Sequence, residues 1–259
     1  MKEWRFIPLK VNNGYCNMAL DEAILRSVIN RKSPFTIRFY KWKPSTISIG
    51  RNQSLSGEVN LKMAKIKGFS VVRRISGGGA VFHDENGEIT YSIVCSLKFL
   101  EKFNAKKVIE QFELIENCII EGLANYGLKP EKGIIHCPAI FLNGKKFSGN
   151  AQIRKKGYLL QHGTILLEID PELMYSVLKA PHNVSKSKMV KSVYSKCIGI
   201  REELTNYNEN DFLHSLKRGF ETTLNIKLEE IDFYKFEKEI ANSLVIDKYS
   251  NEKWTNKYE

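Results

Sequence analysis

An α+β fold is what this sequence predicts, and three observations predict it. Runs rich in β-branched and aromatic residues come in strand-turn-strand pairs. The sharpest is AIFL, then Asn143-Gly144, then KKFSG, where the Asn-Gly dipeptide favours a two-residue type I′ hairpin. Between such pairs lie longer stretches with apolar residues at helical spacing, over residues 16–29, 105–126 and 210–224. At 259 residues and 42% hydrophobic content, the chain is long enough for one large domain with a substantial core, or a main domain with a small appendage.

Residues 4–9 read as the first strand and Asn13-Gly14 as a turn. Residues 16–29, CNMALDEAILRSVI, form an amphipathic helix capped by Asn17. Two strands follow, over residues 35–40 and 46–49, separated by Lys43-Pro44-Ser45. The second runs into Gly50-Arg51-Asn52-Gln53, where Arg51 and Gln53 could face either a cleft or water. Residues 61–67 make a short helix. After a strand over residues 89–97, a long helix spans 105–126, with Val108, Ile109, Phe112, Ile115, Ile119, Ile120 and Leu123 on one face and Gly127 to end it. In the hairpin, residues two apart share a face, so Lys146 and Ser148 point together while Lys145 points away. Residues 158–169 read as a buried strand interrupted at His162-Gly163-Thr164, where the glycine marks a bulge or a close backbone approach. Residues 171–180 form a short helix, HNVSKSKMVKSVYSK a solvated mobile loop, and residues 210–224 a further amphipathic helix.

The chemistry concentrates in residues 73–84, RRISGGGAVFHD. Gly77, Gly78 and Gly79 let bare backbone approach a ligand, and their N–H groups can form an anion-binding nest. Ser76 can donate a hydroxyl, and Arg73 or Arg74 can engage phosphate or carboxylate oxygens in a fork. A glycine hairpin with exposed arginines is the plainer reading. The two arginines and the His83-Asp84 pair weigh against it.

The 40 Lys and Arg against 29 Asp and Glu leave a net charge of +11, which implies acidic partners. The lysines are scattered and no nucleic-acid-binding signature accompanies them, so a small acidic protein domain is expected rather than nucleic acid. No run of 18 apolar residues and no apolar leader is present, which implies a soluble, cytoplasmic protein with no membrane partner. Cys16, Cys95, Cys118, Cys137 and Cys197 are widely spaced and make neither a disulfide framework nor a zinc pattern, so no metal site is expected.

These residues carry a resemblance. RRISGGGAVFHD is similar to the signature of the lipoate–protein ligase A and octanoyltransferase family, in which the loop wraps an acyl chain and, in the ligases, the phosphate of an acyl-adenylate. The resemblance implies that Arg73, Arg74, Ser76, Gly77, Gly78, Gly79 and His83 bind substrate or acyl-adenylate, together with Arg51 from the GRNQ segment. GKKFSGNAQ resembles the family motif whose lysine, two residues before the serine, holds the acyl carbonyl and phosphate. That lysine is Lys146, with Ser148, Gly149 and Asn150 beside it. His162, Gly163 and Thr164 match a segment lining the acyl pocket. Lys191-Ser192-Val193-Tyr194-Ser195 resembles a loop close to the bound ligand, and KYSNEKWTNKYE a segment that closes the catalytic domain. The implied fold is a mixed, largely antiparallel sheet flanked by helices, as in the biotin/lipoate protein ligase catalytic domain. Residues 1–259 would form a single such domain with no C-terminal accessory domain, so a separate accessory subunit or a preactivated acyl group would be needed.

Two chemistries fit the resemblance, both modifying a lysine on an acidic lipoyl-carrier domain, such as a 2-oxoacid dehydrogenase E2 or glycine cleavage H protein. A ligase would join lipoate and ATP, with Mg2+, into lipoyl-adenylate before transfer. The arginine-flanked glycine loop favours that reading. An octanoyltransferase would take octanoate from a carrier-protein thioester onto a cysteine. Pro138-Ala139 replace the Asn-Asp that family ligases carry and look closer to an octanoyltransferase branch. Cys137 is the nearest candidate nucleophile, although the adjacent His136 would point to the opposite face of a strand and could not readily serve as its base. A non-catalytic binding protein is a third possibility, which the intact Lys146 context argues against.

Overall fold

The computed structural model describes residues 4–133 and 138–259. The chain begins with β1 (Trp4–Asn12), α1 (Gly14–Ile29), β2 (Thr36–Trp42), β3 (Thr46–Ile49), α2 (Leu55–Glu58), α3 (Leu61–Ile66), β4 (Ser70–Arg73), β5 (Val81–His83) and β6 (Glu88–Ser96). It continues through α4 (Leu97–Leu100), α5 (Val108–Asn125), β7 (Glu131–Lys132), β8 (Ala139–Leu142), β9 (Lys145–Lys155) and β10 (Tyr158–Leu166). The last third is α6 (Pro171–Val177), α7 (Lys186–Lys196), α8 (Glu209–Leu224), β11 (Leu228–Glu230), α9 (Lys235–Leu244) and α10 (Glu252–Thr255).

The expected mixed, largely antiparallel sheet with flanking helices is present. Its strand order is β11-β1-β2-β6-β10-β9-β8-β7, parallel at β11-β1-β2 and antiparallel thereafter. A second sheet, β4-β3-β5, stands beside it. One face of the large sheet packs on α5 and α8 through Ile115, Ile119, Phe212 and Phe220. The other packs on α1 and α9 through Ala23, Leu25, Ala241 and Leu244. Burying apolar stripes from both sides stabilises the sheet by roughly 25 cal/mol per Å2 removed from water. No helix among the described residues is long and apolar enough to cross a membrane.

Several local expectations need correction. Asn13, not Asn17, caps α1 by accepting a hydrogen bond from Cys16 N at 2.9 Å. Asn17 lies inside the helix, fully buried, where its Oδ1 accepts from Arg38 Nη2 at 2.7 Å. The first strand continues to Asn12, so the helix starts as soon as the strand ends. The strands on either side of Lys43-Pro44-Ser45 do not pair with each other: β2 lies in the large sheet and β3 at the centre of the small one. The long helix starts at Val108, and Val108 and Ile109 are 46% and 47% exposed instead of joining its buried face. The strand through His162-Gly163-Thr164 is continuous, each of those residues holding its register with β6. HNVSKSKMVKSVYSK is largely helical: Ser185 caps α7 through Lys188 N at 3.2 Å, and Val190 is its buried anchor. Its lysines hid the apolar spacing.

Candidate active site

A cavity of about 270 Å3 opens where the two sheets meet. Its apolar wall comes from Met18 on α1, Trp42 at the end of β2, Val81 on β5 and Ala151 on β9. Arg74, Gly78, Gly79 and His83 approach from the glycine loop and β5, and Lys146, Gly149, Asn150, His162, Gly163 and Thr164 from β9 and β10. The fold thus gathers most of the expected site residues around one space.

The two arginines of the glycine loop do a different job from the one their sequence implied. Arg74 is 4% exposed; Nη1 donates to Ser48 O and Oγ at 3.1 Å each, and Nη2 to Gly77 O and Gly79 O at 2.7 Å each. Burial lowers its pKa to about 10, which still leaves it cationic at neutral pH. Arg73 is fully buried and donates to the carbonyls of Gln53 at 2.5 Å, Thr255 at 2.6 Å and Trp254 at 3.0 Å. Trp254 Nε1 returns a bond to Arg73 O at 2.8 Å, so the terminal segment latches onto β4. Both guanidinium forks are occupied by backbone carbonyls and shape the loop from within. Gly77, Gly78 and Gly79 remain exposed.

Two histidines reinforce that shape. Ser76 Oγ lies 2.6 Å from His162 Nε2, and His162 Nδ1 lies 3.1 Å from Asp21 Oδ2. Burial would raise the Asp21 carboxyl, but Arg38 at 2.9 Å, with His162 and Ser92, outweighs it and holds the group below its ordinary value. Burial lowers the His162 pKa. A neutral imidazole facing an ionised Asp21 carries its proton on Nδ1, so Nε2 accepts from the Ser76 hydroxyl. On the other side, Ser48 Oγ lies 2.8 Å from His83 Nε2, His83 Nδ1 lies 2.7 Å from Glu88 Oε1, and Trp42 stacks on the His83 ring at 4.0 Å. Ser48 Oγ also accepts from Arg74 Nη1, which joins His83 to the arginine that holds the loop.

The hairpin turn forms as expected, with Asn143 at φ 51° and Gly144 at φ 73°, the type I′ signature. The simple alternation beyond it does not hold. Ile140 pairs with Ser148 and Phe141 with Lys146, so Phe147 is an extra residue and β9 is bulged there. Ser148 is fully buried, and its hydroxyl has no partner among the described residues. Lys146 instead shares the cavity wall with Gly149 and Asn150, while Lys145 does not line it. Around the cavity Arg38 forms an ion pair with Asp21, while the His83 and His162 Nδ1 atoms lie within hydrogen-bond distance of Glu88 and Asp21. Lys146 forms no ion pair with any described residue.

Asn150 sets the far wall. Its Oδ1 accepts from Tyr91 OH at 2.6 Å and its Nδ2 donates to Glu116 Oε1 at 2.9 Å. Gly163 is required beneath it, since a Cβ there would collide with Asn150 Oδ1 and come 2.7 Å from Tyr91 Cε1. Glu116 is 3% exposed, and burial raises its carboxyl to about 7.

Arg51 lies outside this group, exposed on the loop after β3. Cys137 and His136 lie outside the described residues. The four described cysteines do not line the cavity, and burial raises the thiol pKa of each. The described residues contain no cluster of three His, Cys, Asp or Glu that could hold a metal ion. Sequence reasoning missed Asp21, Arg38, Ser48, Trp42, Glu88 and Glu116. Asp21 and Glu22 within the apolar run ALDEAIL were a readable signal, because acids on a buried helix face are rare unless paired.

Comparison with known proteins adds a family to this geometry. Residues 13–221 match the family model described as the lipoyl protein ligase A/B catalytic domain. The chain is 33% identical to octanoyltransferase LipM of Brevibacillus brevis, with 98% of this chain and 99% of that protein covered. It is 32% identical to octanoyltransferase LipM of Bacillus subtilis, over 98% of each. Among solved structures, a bipartite lipoate protein ligase from Thermoplasma acidophilum superposes with a TM-score of 0.84 at 28% identity, covering 98% of this chain and 96% of that one. A lipoate-protein ligase A bound with ATP gives 0.83 at 27% identity, over 98% of each chain.

Proposed function

The chain belongs to the lipoyl protein ligase A/B catalytic-domain family, and from that premise we propose that it is an octanoyltransferase. It takes an octanoyl group from a carrier-protein thioester and passes it to a lysine of a lipoyl-carrier domain, with Cys137 as the nucleophile. The curated relatives support transfer over ligation by their names. The observation that carries the choice is the fate of the two arginines. Arg73 and Arg74, whose forks suited a phosphate in the sequence, are committed to backbone carbonyls. The cavity keeps the Lys146 ammonium, which has no ion-pair partner among the described residues, an apolar wall and a volume of about 270 Å3. That volume is just below the roughly 300–1,000 Å3 usual for small-molecule pockets, and it suits an acyl chain better than an acyl chain with a nucleotide.

In this reading the Cys137 thiolate attacks the thioester carbonyl, the bond to the carrier sulfur breaks, and the carrier leaves as its thiol after gaining a proton. The neutral amine of the acceptor lysine then attacks octanoyl-Cys137; an amide forms, the cysteine sulfur departs, and it regains the proton that the amine loses. Each step passes through an oxyanion. The Lys146 ammonium and the exposed N–H groups of Gly77, Gly78 and Gly79 are the groups suited to stabilise it. Ala139, two residues along the chain from Cys137, pairs with Gly149 of the cavity wall.

A second reading has one observation in its favour, the similarity to an ATP-bound lipoate-protein ligase A. ATP and Mg2+ would then be required and lipoate would be the substrate. The two are separated by giving the protein an apo lipoyl domain with either octanoyl-carrier protein or lipoate, ATP and Mg2+, and weighing the domain. Acylation from the carrier thioester without ATP is the expected result. Acylation only in the presence of ATP would overturn it.

A further inference from the structure

Helix α7 carries four lysines in eleven residues and no acidic residue in its first turn. Lys186 and Lys188 therefore sit at the positive end of the helix dipole, each at a cost of some tenths of a kcal/mol. Lys186 is offset by Glu172 at 3.5 Å. Lys188, Lys191 and Lys196 are exposed and form no ion pair with a described residue. At 100° per residue Lys188, Lys196 and Lys191 lie about 160°, 120° and 100° around the helix from Val190, its buried residue, so all three fall on the outer half of the helix, with Lys188 at its centre.

That face is tied to the cavity. Cys197, directly after α7, bridges to Lys146, and Ile198 N donates to Lys146 O at 3.1 Å. The three lysines thus extend over about 14 Å of helix from the backbone of Lys146, at 1.5 Å per residue. This cationic face has no counter-ion among the described residues for these three lysines, and the segment that carries it is joined through Cys197 and Ile198 to the strand that bears Lys146.

We propose that the outward face of α7, formed by Lys188, Lys191 and Lys196, docks an acidic acceptor domain while its target lysine enters the cavity at Lys146. The inference rests on the acyl-transfer function proposed above. Charge complementarity picks the occupant: an acidic surface would cancel the repulsion among the lysines and the unfavourable dipole together.

The test uses the full chain, octanoyl-pantetheine as a small uncharged acyl donor, and an apo lipoyl domain of net negative charge as acceptor. K188E/K196E should load from octanoyl-pantetheine at the wild-type rate and keep kcat for transfer, while KM for the lipoyl domain rises about tenfold at low salt. K188Q/K196Q should fall between, and the differences should collapse at 1 M salt, where the Debye length is about 3 Å. An unchanged KM in both variants would overturn the proposal. So would slower loading by octanoyl-carrier protein with an unchanged lipoyl-domain KM, which would give the face to the donor. A wild-type protein that neither loads nor transfers would instead remove the underlying function, and this inference with it.

Discussion

Ser76 Oγ and His162 Nε2 lie 2.6 Å apart, a contact that bridges 86 residues of sequence and ties the glycine loop to the strand behind the cavity. Its far end is Asp21, which also accepts from Arg38, Tyr40 and Ser92 at 2.9 to 3.0 Å. The loop is held in place before any substrate arrives, and its ordering is not charged against binding.

Asp21→Asn should therefore be costly. It leaves the buried Arg38 guanidinium without its carboxylate, a change worth about 3–5 kcal/mol, readable by urea unfolding at neutral pH. The pH dependence has a definite sign. The Asp21 carboxyl is lowered in the folded state, so its stabilisation is complete above the unfolded value of about 3.9 and is lost as pH falls through the folded value. The gap between wild type and variant should close only in that acid range.

Lys146 and Lys145 should separate cleanly. Lys146→Met removes the ammonium from the cavity and should slow acyl transfer about 100- to 1,000-fold, the usual cost of losing an oxyanion partner. Lys145→Met should leave the rate within about twofold, as for surface changes away from a site. Comparing initial rates at saturating donor reads this directly. The bulge at Phe147, rather than strand alternation, sets which lysine faces the cavity, so comparable losses from both variants would point to a different register.

Glu116 should report its burial. Its folded carboxyl is raised to about 7 from 4.5, mainly by desolvation, with the Asn150 hydrogen bond opposing. A raised carboxyl destabilises as it ionises: the protonated form is favoured below the unfolded value, and that stability is lost as pH rises from 4.5 through 7. Between those limits wild type should lose up to about 3 kcal/mol relative to Glu116→Gln. Urea midpoints across that range check it, and parallel curves would contradict it.

What the sequence could reveal followed the range of the interactions. The Asn143-Gly144 turn and the cap of α6 at Asp170 depend on residues within four positions, and the turn was readable at once. The glycine loop was visible as a loop, but the use of its arginines was not, because Arg73 spends its fork on Trp254 and Thr255, 181 and 182 residues away. His162 looked like an isolated strand histidine for the same reason: Asp21 is 141 residues distant. The bulge in β9 left no mark, since KKFSGN reads equally well as a regular strand. Family resemblance supplied the cavity residues that local physics could not assemble.

The measurement that bears most directly on the proposed function is the mass of the protein after incubation with octanoyl-carrier thioester in the absence of acceptor. Wild type should gain one octanoyl group, peptide mapping should place it on Cys137, and addition of an apo lipoyl domain should discharge it to the acceptor lysine. Cys137→Ala, folded by circular dichroism, should gain nothing and transfer nothing. Acylation of Cys16 or Cys197, or undiminished ATP-dependent lipoylation by the Cys137→Ala protein, would contradict the transferase assignment.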